Sequence, residues 1–188
     1  VALPPPAAAW QGRLPLGPPR PAGGPGQPGF WVGLPRSGTS MTTRVMHDQG
    51  RWRGETVPGN VENPQGYFES RAIREGIVKP MLTQLGADPL GVRSLPPWDV
   101  LPPDPTLRRR VGKVLKDEGF SGLGACGFQD PKLTLLWQVF DQAFPDALWV
   151  IVTRRRDKVI ESLCRTSFMA RHSTSPEYWI PFCNAYQH

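Results

Sequence analysis

Cysteine is scarce. Cys126, Cys164 and Cys183 are the three in 188 residues, with no C-x-x-C pair and no metal-ligand spacing. An odd, scattered set of this kind excludes a disulfide framework and points to reduced thiols in a cytoplasm-like compartment. No apolar run reaches the roughly 18–20 residues that a membrane span needs, and the N-terminus lacks the charged-then-apolar order of a signal peptide. The chain therefore reads as soluble, and a cytoplasmic location is the expectation. His172 and His188 have no visible partner or ligand spacing, and no metal is expected. Acidic residues are in the minority, 16 against 22 Lys+Arg, for a formal charge of +6. That excess suits an anionic ligand, although charge alone does not separate a small anion from a nucleic acid or a membrane surface.

What is present divides in two. Residues 1–29 carry Pro4-Pro5-Pro6, Pro18-Pro19 and a Gly/Pro cluster from Gly23 to Gly29, with almost no periodic apolar pattern. Such a segment buries too little to offset its ordering entropy, so it reads as a flexible or polyproline-like leader. Residues 30–188 read as one α/β domain. The apolar stretch 30–34 predicts a strand running into a glycine-containing loop, followed by a helix over 39–49 stopped by Gly50. A second helix is expected over 70–85, kinked at Pro80, and a Pro/Gly-rich surface loop over 88–105. Thr106 is expected to cap a basic helix reaching Asp117, in which the run 108–110 is a solvated face. A short strand at Gly127-Phe128, a helix over 133–144, a buried strand over 147–153 and a helix over 157–168 complete the pattern. Strands alternating with helices imply parallel strands and a three-layer α/β/α architecture with a central parallel sheet, nucleotide-binding and P-loop-like, whose ligands sit at the C-terminal strand ends.

Gly33-Leu-Pro-Arg-Ser-Gly38-Thr39-Ser40 has the spacing of a phosphate loop: two glycines separated by four residues, then hydroxyls at a helix N-terminus. Backbone N–H groups of such a turn converge on an anion, and the helix dipole adds to their field. A Walker A loop places Lys after the second glycine and a metal-binding hydroxyl after that. Here Thr39 holds the Lys position and the cation has moved inside the loop, to Arg36, which suits a single 5′-phosphate carrying a transferable group and needs no metal.

At these residues the chain resembles the sulfotransferases that use 3′-phosphoadenosine-5′-phosphosulfate (PAPS), whose phosphosulfate loop is commonly PKSGT or PRSGT, as in Pro35-Arg-Ser-Gly-Thr39. The resemblance implies that Arg36 meets the phosphosulfate near its leaving oxygen, with Ser37, Gly38, Thr39 and Ser40 donating to the 5′-phosphate. It further implies that Arg154, at a strand end, and Ser162, eight residues on, hold the 3′-phosphate; Arg155 stands beside Arg154 as a candidate because Arg155-Arg156 replaces the family's usual Asn-Pro or Arg-Pro. Members of the family run on to a later Gly- and basic-rich loop over the adenosine. No such loop occurs before His188, so the expectation is either a truncated or minimal member or a chain whose remainder lies outside this sequence.

Sulfuryl transfer needs in-line attack, stabilisation of the leaving phosphate and a general base. Glu69 lies in a segment that resembles the NPxGYFE stretch of bacterial members, and glycosaminoglycan sulfotransferases take a Glu from the corresponding region as base. Asp130 and Lys132 lie in Gln129-Asp-Pro-Lys132, similar to a KDPR element near the acceptor, with Asp130 a second candidate base and Lys132 a charge stabiliser. His47 is a surface or packing residue. Trp52, Trp98, Tyr178 and Trp179 could line an acceptor pocket or pack in the core. The expected partner is a small-molecule or glycan acceptor, with no nucleic acid and no membrane span. A P-loop kinase or NTPase, and a nucleotide-binding module without turnover, are the rival readings.

Overall fold

A computed structural model describes residues 27–93, 95–96 and 101–187. Residues 1–26 of the leader and Trp98 lie outside the described residues. The last two residues assigned to the leader, Pro28 and Gly29, belong to the first strand.

Three parallel strands form the sheet, in the order β2-β1-β3: β1 (Pro28–Val32), β2 (Cys126–Gln129) and β3 (Leu148–Ile151). Phe30 of β1 pairs with Phe128 on one side and with Trp149 on the other. Parallel neighbours need crossover connections, which the helical patterns between the strands supply. The central strand is buried on both faces, as parallel strands usually are. Phe30 presents one face to the rings of Phe140, Phe144 and Trp149, while Trp31 lies over Gly127, where a Cβ would come within 2.0 Å of its ring. The coarse α/β expectation therefore holds. The buried strand read over 147–153 is shorter and less buried than its composition suggests: β3 is an edge strand, half-buried, with Ile151 63% exposed.

The helices follow the sequence pattern with local differences. Helix α1 (Thr39–Asp48) ends at Gly50, whose φ of 88° no β-branched residue would adopt readily. The helix expected over 70–85 is a continuous rod of α2 (Arg71–Ile73), a π-helical stretch (Arg74–Val78) and α3 (Lys79–Gln84). Pro80 removes the N–H that the Gly76 carbonyl would receive in an α-helix. The rod widens before the proline, and Arg110 Nη2 donates to that carbonyl at 3.3 Å. Helix α4 (Leu107–Asp117) has Thr106 at its N-cap, but the threonine side chain makes no capping bond. Its hydroxyl donates instead to Asp104 Oδ1 at 2.7 Å, and Asp104 also pairs with Arg110 at 2.9 Å.

The helix read over 133–144 splits into a 3₁₀ stretch (Pro131–Leu135) and α5 (Trp137–Ala143). That over 157–168 ends early as α6 (Arg156–Arg165), followed by α7 (Ser167–Ala170), because extended backbone at Thr166 separates them. A further helix, α8 (Pro176–Gln187), packs against α6 and contributes Trp179, Phe182, Cys183 and Tyr186 to the core.

Gly33, the first residue past β1, carries the tightest constraint in the turn between β1 and α1. Its φ is 148°, and a Cβ there would lie 2.3 Å from the Val152 carbonyl oxygen. Gly33→Ala must move backbone against backbone and is expected to lower the unfolding free energy by about 2–4 kcal/mol, within the range of strain and overpacking losses. Urea denaturation of the two proteins measures it.

Candidate functional site

The loop between β1 and α1 is built by its glycines and by one strained arginine. Arg36 has a φ of 72° and Gly38 a φ of 104°, left-handed conformations that curl successive N–H groups inward. Gly38 precedes α1, whose first turn has no acidic residue and no side-chain cap. The first amides of a helix have no intrahelical acceptor, so this positive end is uncompensated. Thr134 staples the loop from below: its Oγ1 accepts from Gly33 N–H at 2.9 Å and donates to Gly33 C=O at 3.2 Å.

The segment after β3 meets the same loop. Arg154 Nη1 donates to the Arg36 carbonyl at 3.1 Å, and Arg36 Nε donates to Ser162 Oγ at 3.0 Å. Arg36, Arg154 and Ser162, 126 positions apart at the extremes, are thus joined by two hydrogen bonds. Using Nε for Ser162 leaves the outer edge of the Arg36 guanidinium uncommitted, and the Ser162 hydroxyl hydrogen remains free to donate.

Opposite the loop lies a cluster of opposed charges. Glu69 reaches it from an isolated parallel bridge to Gln129, at the end of β2. Arg74 Nε lies 3.1 Å from Glu69 Oε2 without aiming its hydrogen at that oxygen, Lys132 Nζ lies 3.8 Å from the same oxygen, and Lys132 Nζ contacts Asp130 Oδ1 at 2.7 Å. Glu69 is 8% exposed. Burial, and after it the nearby Asp130 carboxylate, push its pKa up to about 7, against the opposing pull of Lys132 and Arg74. Asp130 also accepts the Lys132 N–H at 2.9 Å, so it fixes both ends of that residue.

A cavity of about 640 Å³ connects the loop with this cluster. Pro35, Arg36, Gly38, Thr39, Ser40 and Arg154 line one part of it, and Glu69 and Lys132 another. Four expected residues are not among its lining, Arg155 being one of them, paired instead with Asp157 at 2.8 Å. Ser37 is buried and donates its N–H to the Leu34 carbonyl at 3.1 Å. Ser162 stands behind Arg36, and Asp130 behind Lys132. Thr39 is held by Gln129, whose Nε2 donates to its hydroxyl at 3.0 Å. Of the aromatic residues considered for an acceptor pocket, the three described are elsewhere: Trp179 is fully buried in the core, Trp52 packs on Phe120, and Tyr178 faces outward beside Trp179. His47, at the end of α1, lies 3.6 Å from Asp48.

Sequence reasoning missed Arg74, Thr134 and Tyr186, and it set His172 aside as lacking a partner. Arg74 and His172 line the cavity, and the His172 Nδ1 is buried with no partner among the described residues. Tyr186 donates to the Gly91 carbonyl at 2.8 Å. Only α8's aromatic spacing at 179, 182 and 186 signalled any of them in advance. Among the described residues no group of three or more His, Cys, Asp or Glu side chains is placed to hold a metal ion, and no helix is long and apolar enough to cross a membrane.

The raised Glu69 pKa has a direct consequence for stability. Folded Glu69 holds its proton up to about pH 7, whereas unfolded Glu69 releases it near 4.5. Over that window the folded state binds more protons, so Glu69's contribution to stability is full below about 4.5, declines as pH rises, and is lost above about 7. Urea titrations at pH 5, 6, 7 and 8 should show the parent losing stability relative to Glu69→Gln across the window; parallel curves would mean that Glu69 ionises normally.

Comparison with models of protein families, with characterised proteins and with solved structures returns no match to this chain.

Proposed function

We propose that the chain binds PAPS in this cavity and transfers its sulfuryl group to a hydroxyl or amine, on a three-layer α/β/α, P-loop-like scaffold. The observation that carries the reading is the joining of the PRSGT loop to Arg154 and Ser162 across from a buried carboxylate with a pKa near neutrality. The helix end and the amides of Gly38, Thr39 and Ser40 take the 5′-phosphate. Arg36, held through Nε, turns its outer N–H groups to the oxygen that bridges phosphorus and sulfur. Arg154, on the cavity wall, takes the 3′-phosphate, and Ser162 behind Arg36 steadies that guanidinium.

In the reaction the acceptor oxygen or nitrogen attacks sulfur while the bond from sulfur to the bridging oxygen breaks. The acceptor proton passes to the Glu69 carboxylate, and the leaving group is adenosine 3′,5′-bisphosphate. Glu69 suits the base role because a pKa close to the working pH balances the fraction ionised against proton affinity. Lys132, oriented by Asp130, offsets charge beside it. A cytoplasmic setting and a small-molecule or glycan acceptor go with this reading.

Two measurements test it. Adenosine 3′,5′-bisphosphate should stabilise the protein more than AMP does, by up to about 2.7 kcal/mol at a hundredfold excess over its dissociation constant, and Arg154→Ala should narrow the difference. Equal melting shifts for the two nucleotides remove the 3′-phosphate assignment, and a response to ATP with Mg²⁺ alone moves the protein to the NTPase reading. EDTA should leave binding unchanged.

Arg36→Ala should lower single-turnover transfer from PAPS by on the order of 10²–10³ with a smaller effect on nucleotide affinity, because charge on the leaving oxygen grows only in the transition state. Arg36→Lys should keep part of the activity. A variant that binds the nucleotide and turns over like the parent would show that Arg36 only shapes the loop.

A further inference from the structure

Two non-glycine residues among those described have positive φ, and both border this cavity in sequence or in space: Arg36 in the phosphate loop, and Phe68 with a φ of 60°, immediately before Glu69. A left-handed aromatic residue costs about 1–2 kcal/mol and persists only where its surroundings hold it. Hydrogen bonds hold the backbone on either side. Val57 N–H donates to the Glu69 carbonyl at 2.8 Å and Tyr67 N–H donates to the Val57 carbonyl at 3.3 Å.

The side chain is held separately. The Arg53 guanidinium carbon lies 4.7 Å from the Phe68 ring centroid, in cation–π geometry. Arg53 Nη1 is buried with no hydrogen-bond partner among the described residues, so the ring face is a main compensation for its lost water. Neither Arg53 nor Phe68 lines the cavity, whereas Tyr67 and Glu69 do. The stack therefore adjoins the segment that carries Tyr67 and Glu69 without lining the cavity itself.

We propose that Arg53 is a positioning residue: by stacking on Phe68 it holds that residue left-handed and so keeps the Glu69 carboxylate turned in toward Arg74 and Lys132. The role of Glu69 as base rests on the function proposed above; the placement of its carboxylate does not. Left-handed backbone at Phe68 turns the chain at the residue before Glu69. A relaxed Phe68 would redirect the Glu69 side chain and let water reach it.

The test follows the Glu69 carboxyl by ¹³C NMR, assigned with Glu69→Gln, in the whole protein without nucleotide. Arg53→Ala should lower the Glu69 midpoint by about one pH unit, since loss of burial is the largest contribution removed. Phe68→Tyr, which keeps the ring, should titrate like the parent. In a Phe68→Gly background, where left-handed backbone carries no cost, Arg53→Ala should have no further effect; a double-mutant cycle measures this coupling. Arg53→Lys keeps the charge without the flat face and should shift the midpoint in the same direction, which covers an Arg53→Ala protein that does not fold.

Single-turnover transfer should fall by on the order of tenfold or more in Arg53→Ala, with the affinity for adenosine 3′,5′-bisphosphate unchanged. A parent-like midpoint in both Arg53 variants overturns the proposal, as does an Arg53→Ala shift that persists with glycine at 68. Failure of the nucleotide to bind the parent would instead overturn the sulfotransferase reading and leave the titration result standing.

Discussion

Backbone contact at Gly33 is the constraint from which the rest of the site follows. A parallel sheet brings the C-terminal ends of β1 and β3 side by side, but side chains would ordinarily hold the segments beyond them apart. Here the missing Cβ lets the turn lie directly against the Val152 carbonyl, and Thr134 fastens both polar groups of Gly33 from the β2 side. Only then are the Arg36 carbonyl and Arg154, and the Arg36 side chain and Ser162, within hydrogen-bonding distance. Two segments more than a hundred residues apart in the chain become one wall because a single position carries no side chain.

Strain and charge are concentrated on the two sides of the cavity in complementary ways. On the loop side, left-handed Arg36 and Gly38 arrange backbone dipoles whose positive field cannot be neutralised by any acid in the first turn of α1. On the other side, left-handed Phe68 delivers a carboxylate whose charge is discouraged by burial and by Asp130. One wall is permanently positive, and the other can gain or lose a proton near neutrality. An anion is favoured by the first, and proton exchange by the second.

Much of this was legible in the sequence because it depends on local geometry. The strand-to-helix turn, α1 and its stop at Gly50 follow from neighbouring residues alone, as does the rod across Pro80. What the proline does there was less legible: a kink was expected, and the helix instead widened, with Arg110 from another helix taking the freed carbonyl. Helix α8 is hidden in the sequence by Pro176 and Pro181, which look like breakers, although Trp179, Phe182, Cys183 and Tyr186 have helical spacing. The partners of Glu69 and Gly33 were hidden for a different reason. Arg74 reaches Glu69 only once Ser70 has started the rod, and Thr134 reaches Gly33 only across the sheet, so neither contact is encoded in a neighbouring motif. Composition likewise marked β3 as a buried strand, whereas its burial depends on having neighbours, and it has β1 on one side.

The charge balance around Glu69 links its proton to whatever the loop binds. Glu69 and Asp130 face Arg74 and Lys132, two carboxylates against two cations when Glu69 is ionised and one uncompensated cation when it is protonated. The proposed nucleotide, carrying several negative charges, would lower the potential throughout the cavity and so favour the protonated form. By reciprocity, protonated Glu69 favours the nucleotide. Under the proposed reaction this linkage works against the base before transfer and with it afterwards. The ionised carboxylate must exist beside bound PAPS for an acceptor proton to be taken, and Lys132, fixed by Asp130, is the charge that sustains it. Once the acceptor proton has moved to Glu69, the same cation is left facing the negative charge that has developed on the departing phosphate. The cluster thus needs Asp130 even though that residue does not line the cavity. Without it Lys132 would pair fully with Glu69, hold the carboxylate ionised at low proton affinity, and leave the site with a poorer base.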